Sequence, residues 1–214
     1  MKVKMLQVVT PEIMDYAKYS IRINRAYCDL QGYEYILYKN IDRNRHPAWS
    51  KIKGAMEIIK TCDLLFILDA DAYVQNQSIK VEKFLNNESP IRMCRNGENG
   101  GELLNSGSMI IRKGKITELL LKCWWEAGKY HKKAFDQFWE QDILNSLHNS
   151  GKDVPINKIF KENIFVHAMR DFNSYWLDME ANYLNPNQFV QHLMARSIKD
   201  KVKFLKNYYI HFLK

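Results

Sequence analysis

Asp69 and Asp71 follow the five apolar residues Leu64–Leu68 directly. In an extended chain residues i and i+2 point the same way, so both carboxylates can converge on one point while Ala70 faces away between them. Converging carboxylates repel, and a divalent ion bridged onward to phosphate oxygens relieves that repulsion. A solvated turn is the plain alternative for a bare D-x-D. The apolar run in front of it favours the ion, because the ligand crevice of an open α/β sheet lies at the carboxyl ends of its strands. A second feature is the stretch with Lys199, Lys201, Lys203 and Lys206 beside Phe204, Tyr208 and Tyr209. Basic groups interleaved with aromatics can grip a nucleic-acid backbone and stack bases; the same residues could instead cap the domain, lie near an acidic acceptor or lead into a further C-terminal domain.

The elements that must carry these residues read as α/β. Residues 3–9 form a short buried strand, Thr10 and Pro11 start a helix through about Leu30, and Gly32 closes it. Strand composition returns at 33–38, a helix follows from about Trp49 to Lys60, and DLLFILDADAYV reads as one continuous apolar strand ending in acids. Such a run suits a central strand covered on both faces, so a mixed, mostly parallel sheet is expected. ESPIRMCR and SMIIR add strands around the turn-rich NGENGGELLNSG. Residues 115–129 and 134–149 read as helices, KIFKENIFVHAMRDFNSYW places a strand before a loop, and 198–214 is a basic helix.

The 214 residues, 46% hydrophobic and 13% aromatic, fit one α/β/α domain and exclude disorder, collagen and coiled-coil repeats. No apolar run approaches the ~18–20 residues of a membrane span, and the N-terminus lacks a signal-peptide core, so a soluble, cytoplasmic protein is expected. The four cysteines form no CxxC pair and read as buried small hydrophobes. A formal net charge of +8 favours anionic partners without choosing among them.

LDADAYVQN resembles the DxD segment of GT-A-fold glycosyltransferases, in particular the galactosyl- and xylosyltransferase-like family 34. Other segments are similar in the same order: Trp49 and Lys51 in HPAWSKI, LNSGSMIIR at 104–112, EQDILNSL at 140–147, FNSY at 172–175 and QHLMARSIKDK from Gln191. The last lacks the glycine usual soon after its histidine. The matches cover roughly residues 5–203. The compact size resembles a large-virus enzyme more than the Golgi members.

The resemblance implies a single GT-A (Rossmann-like) domain, with about 1–100 as nucleotide-sugar half, about 101–197 as acceptor-side half and 198–214 as the basic helix. It implies a retaining transfer from a nucleotide sugar, expected to be a UDP-sugar, to a hydroxyl of a glycan or glycoprotein. Asp69, Asp71 and His192 would hold Mn2+ or Mg2+, an imidazole among carboxylates suiting manganese better. Lys51 would lie near the diphosphate, in a nucleotide-contacting set with Val8, Thr10, Tyr16 and Ala70; core packing is the alternative for Tyr16. Asn105, Ser106 and Gly107 would meet donor hydroxyls and allow close backbone approach. Of Glu140, Gln141 and Asp142, which spread over about 200° of a helix, only one or two can face the cleft, and Asp142 assisted by Gln141 is expected at the anomeric centre. His167, Arg170, Asp171 and Asn173 would line the acceptor side, with a plain strand-end charge cluster as the alternative for the first three. Trp124, Trp125 and Trp139 read as core, with sugar-stacking rims as the alternative.

Two rivals remain. A haloacid-dehalogenase-like phosphatase also places D-x-D after an apolar strand, but normally the first strand, with Thr or Val where Tyr73 stands here. A non-catalytic basic nucleic-acid-binding module would use the charge and the tail, and leaves the ordered segments unexplained.

Overall fold

The computed structural model describes residues 1–96, 103–130, 139–149, 155–167, 172–174 and 188–212. Its main sheet has the strand order β2-β1-β3-β6-β5-β7. These strands are β1 Val3–Val8, β2 Glu34–Tyr38, β3 Leu64–Leu68, β5 Ile91–Arg95, β6 Leu104–Arg112 and β7 Ile164–His167. Three of the five pairings are parallel, and the two that β6 makes are antiparallel. A smaller sheet, β4-β9-β8, is built from β4 Ala72–Val74, β9 Val190–His192 and β8 Asn173–Ser174.

Alternation along β3 sorts the core into two layers. Leu65 and Ile67 join Leu6, Ile111 and the helices α2 Ser50–Ile58, α3 Lys115–Tyr130, α4 Glu140–Asn149 and α5 Pro155–Asn163 on one face. Leu64, Phe66 and Leu68 join Met5, Ile110 and Tyr27 of α1 Met14–Gln31 on the other, together with β4 and β9. All five residues of β3 are buried, as a strand covered on both faces requires. The expected three-layer α/β architecture with a central mixed, mostly parallel sheet is the one observed. Gly32 ends α1 in the left-handed conformation (φ 72°), where a side chain would be strained.

Three local readings need correction. DLLFILDADAYV is two strands: the Ala72 N–H donates to the Asp69 carbonyl at 3.0 Å, closing a turn that sends β4 into the small sheet. KIFKEN belongs to α5, because Ile156, Ile159 and Phe160 repeat at helical spacing behind Pro155. The helix expected over 134–149 is described from Glu140 to Asn149 only.

The basic segment is a helix, α6 Ile198–Phe212, packed along α1. Tyr208 is buried against Tyr73 with ring centroids 4.6 Å apart. Tyr209 lies 6.1 Å from Tyr19, with the Arg22 guanidinium over its ring. Two of the aromatics that could have stacked nucleic-acid bases thus cap the domain. No helix among the described residues is long and apolar enough to cross a membrane.

Candidate active site

The turn at 69–72 is held from behind by buried polar side chains. Gln7 Nε2 donates to the Asp69 carbonyl at 3.0 Å, Ser20 Oγ to the Ala70 carbonyl at 2.6 Å, and Asn24 Nδ2 to the Ala72 carbonyl at 3.0 Å. Asn24 Oδ1 accepts from the Val74 N–H at 2.9 Å. A buried carbonyl without such a donor would cost about 1–3 kcal/mol, so these three residues fix the turn that presents both carboxylates. Sequence reasoning missed all three. The available signal was Ser20 and Asn24 at i, i+4 on the same side of α1 as Ala17, Tyr27 and Cys28.

Three side chains of opposite charge, or able to carry it, face the two aspartates. Lys51 Nζ lies 2.6 Å from Asp69 Oδ1 and 2.8 Å from Glu140 Oε1. His192 Nε2 is 3.2 Å from Asp71 Oδ1 and 3.9 Å from Asp69 Oδ2. Lys201 Nζ, from α6, is 2.6 Å from Asp71 Oδ2. Burial alone would raise the Asp71 carboxyl, but His192 and Lys201 outweigh it and hold Asp71 well below the ordinary aspartate value. Asp69 goes the other way: burial, reinforced by Glu140 and Asp71, pushes it up despite Lys51 and His192. Its side chain keeps 33% of its surface open, and water there tempers the effect. Burial would pull Lys51 down, yet Asp69 and Glu140 keep it raised and charged.

Asp69, Asp71 and His192 each offer one ligand atom, and the three atoms lie within 4.8 Å of one another. Two ligands at about 2.1 Å from one ion and at right angles to each other are about 3 Å apart, so the His192–Asp71 spacing already fits a shared divalent cation. Two carboxylates and an imidazole, with Asp69 disfavoured as a free anion, are a chemically consistent set for Mn2+ or Mg2+.

Gly107 makes this geometry possible. A Cβ there would lie 2.1 Å from Cε1 of His192, so the imidazole occupies the space a side chain would take. The close approach expected at Gly107 is made by the histidine ring. His192 itself ends β9, whose register sets it opposite Ala72. Three residues after His192, Ala195 adopts φ 59°.

A cavity of about 650 Å³ opens in front of this group at the carboxyl ends of β1 and β3. Among residues expected at the site, Val8, Thr10, Tyr16, Asp69, Ala70 and Asp71 line it on the strand-end and α1 sides, and Lys51 lines it from α2. Asn105, Ser106, Gln141 and His192 also line it. Ser106 ties β6 to the start of α4: its Oγ donates to Glu140 Oε1 at 2.7 Å, and its N–H donates to Gln141 Oε1 at 2.9 Å. Asn145 clamps α4 to β6 through both backbone groups of Leu104, at 2.6 and 3.1 Å.

Other expected residues are placed elsewhere. Asp142 is exposed and outside the cavity; its Oδ2 accepts from the Trp139 N–H at 3.0 Å, at the start of α4. The choice of Asp142 over Glu140 fails on helix phase, because α4 turns Glu140 inward and Asp142 toward solvent. His167 is buried among Phe84, Phe165 and Phe172, away from the cavity. Asn173 pairs through its backbone with Val190, and its side chain, like Arg170 and Asp171, lies outside the described residues. Trp124 is core, its Nε1 donating to the Glu140 carbonyl at 2.7 Å. Trp125 packs edge-on to Trp49, whereas Trp139 stands at the cavity. Sequence reasoning also left out His46, Met194, Ala195 and Lys201 from the lining.

No protein-family model matches the sequence, and no curated protein matches it. Solved structures do. A glycosyltransferase involved in the glycosylation of the major capsid of PBCV-1 is similar over 97% of this chain and 100% of its own, with 15% identity and a TM-score of 0.74. The galactosyltransferase LgtC, solved with donor and acceptor sugar analogues, is similar over 95% of both chains, with 14% identity and a TM-score of 0.54. GlyE of Streptococcus pneumoniae TIGR4 is similar over all of this chain and 63% of its own, with 12% identity and a TM-score of 0.61. All three are glycosyltransferases, and the fold of this chain is the GT-A-like fold that they share.

Proposed function

We propose that the chain is a metal-dependent, retaining glycosyltransferase that moves a sugar from a UDP-sugar to a hydroxyl of a glycan or glycoprotein. One observation carries the reading: Asp69, Asp71 and His192 converge at the carboxyl end of a central strand, at the floor of a cavity with room for a nucleotide sugar. An ion held there would neutralise the charge that develops on the departing diphosphate.

The chain's own residues supply the rest. Lys51 brings an ammonium group to Asp69 and Lys201 one to Asp71, both positioned to share the negative charge of a diphosphate. Val8, Thr10 and Tyr16 form the wall for the base and ribose. Asn105 and Ser106 face the donor sugar, and Glu140 Oε2, buried with no hydrogen-bond partner among the described residues, is an acceptor for one of its hydroxyls. Gln141 takes the place first given to Asp142: its amide, held by Ser106, lies beside the sugar and can stabilise positive charge at the anomeric carbon. In the transfer the acceptor hydroxyl oxygen bonds to that carbon, the bond to the phosphate oxygen breaks, and the hydroxyl proton leaves with the diphosphate.

A thermal-shift panel of nucleotide sugars with and without Mn2+ tests the reading, since a bound ligand raises stability by mass action. Stabilisation by a UDP-sugar only when metal is present is expected. Asp71→Asn should stay folded, lose that shift and lose turnover by at least about a hundredfold; wild-type turnover in this variant would reject the site.

A further inference from the structure

At the rim of the cavity, Trp139 lies flat on His46, with ring centroids 4.7 Å apart and planes 12° from parallel. Trp139 is nonetheless 54% exposed. Large apolar rings are left this open at some cost, and a tryptophan presenting a flat face beside a polar cavity is a common anchor for ligands.

Both rings are held in place. His46 Nδ1 accepts from the Ala48 N–H at 3.3 Å, which fixes the imidazole at the start of the helical turn before α2. Burial holds the His46 pKa below its ordinary value, so the ring stays neutral at pH 7 and needs no counter-ion. The Trp139 N–H is pinned by Asp142, and the next residue, Glu140, is locked to Lys51 and Ser106. The platform is therefore tied to the same helix start that carries Gln141. It stands on the α2/α4 side of the sheet, whereas Tyr16 and Lys201 come from α1 and α6 on the opposite side.

Resting on the glycosyl-transfer reading, we infer that Trp139, backed by His46, is the acceptor subsite, and that it takes a pyranose ring through its C–H-bearing face. A flat aromatic face with no charged group of its own favours a sugar ring over an acidic or basic peptide. The α1/α6 side already offers the aromatic and cationic groups a nucleotide diphosphate needs.

The test uses the intact chain with UDP and Mg2+, and methyl glycosides of glucose, galactose, mannose and xylose as acceptor probes. Saturation-transfer NMR should show at least one glycoside bound to wild type, with the strongest transfer to the protons of one ring face. Trp139→Ala should weaken that binding about tenfold and Trp139→Phe should retain part of it, while stabilisation by UDP and metal stays at the wild-type level in both. His46→Ala should give an intermediate loss. Unchanged glycoside binding in Trp139→Ala, or no binding of any probe by wild type, would overturn the inference. So would a parallel loss of UDP stabilisation, which would reassign the ring to the nucleotide. Should wild type bind a glycoside yet gain no stability from any UDP-sugar with metal, the transfer reading fails while the platform stands.

Discussion

Two small residues around His192 hold opposite lessons. Ala195 carries φ 59°, a conformation that strains any residue with a Cβ. Ala195→Gly should therefore stabilise the protein by about 1 kcal/mol, read as a higher urea midpoint with an unchanged slope; a lower midpoint would mean that the Ala195 methyl contributes more through packing than its backbone costs. Gly107 is the converse case, since any added methyl meets the buried imidazole. Gly107→Ala should leave the sheet's circular dichroism intact while weakening Mn2+ binding by at least about tenfold, the effect of displacing one ligand. Wild-type metal affinity in that variant would remove His192 from the ligand set. Asp69 and Asp71 were legible as a pair because residue type and the preceding apolar run are local properties. Gly107 was legible as a close-approach residue, but which group approaches it depends on the strand β9 that arrives 85 positions later.

At the scale of elements, α6 is where reading by composition misleads. Four lysines among aromatics suggested a surface for anions, yet Lys201 points inward to Asp71 and the tyrosines pack on α1 and β4. A charge pattern alone does not say which lysine of a helix faces the domain; that depends on the angle at which the helix docks. The pairing has a pH signature. A carboxylate depressed in the folded state contributes stability that is present above its unfolded pKa, about 3.9, and is lost as pH falls through the folded value. Metal-free wild type should thus keep the Asp71 contribution until well below pH 3.9. Lys201→Ala should cost about 1–3 kcal/mol at pH 7, less than the full loss of a buried pair because His192 remains, and should begin to weaken at a higher pH than wild type does. Superimposable acid-unfolding curves for the two proteins would show that the Lys201 contact carries no stability. The strand–helix order of the first third was legible because β3 is an uninterrupted apolar run, β1 and β2 are rich in aliphatic and aromatic residues, and Thr10–Pro11 and Gly32 mark the ends of the intervening helix. The break between β3 and β4 was not, because the side chains that force it, Gln7, Ser20 and Asn24, are scattered over β1 and α1.

Across the whole molecule, the ligands of the proposed ion belong to different sheets. Asp69 hangs from the end of the large sheet, whereas Asp71 directly precedes β4 of the small one and His192 closes its β9. The two sheets share no strand, and beside the cavity the tight turn at 69–72 links β3 of the large sheet to β4 of the small one. A cation gripped from both sides would act as a rivet across that seam. With it bound, parting β9 from the end of β3 would mean breaking metal–ligand bonds as well as the shared apolar packing, so the ion's binding energy would be added to the fold's own.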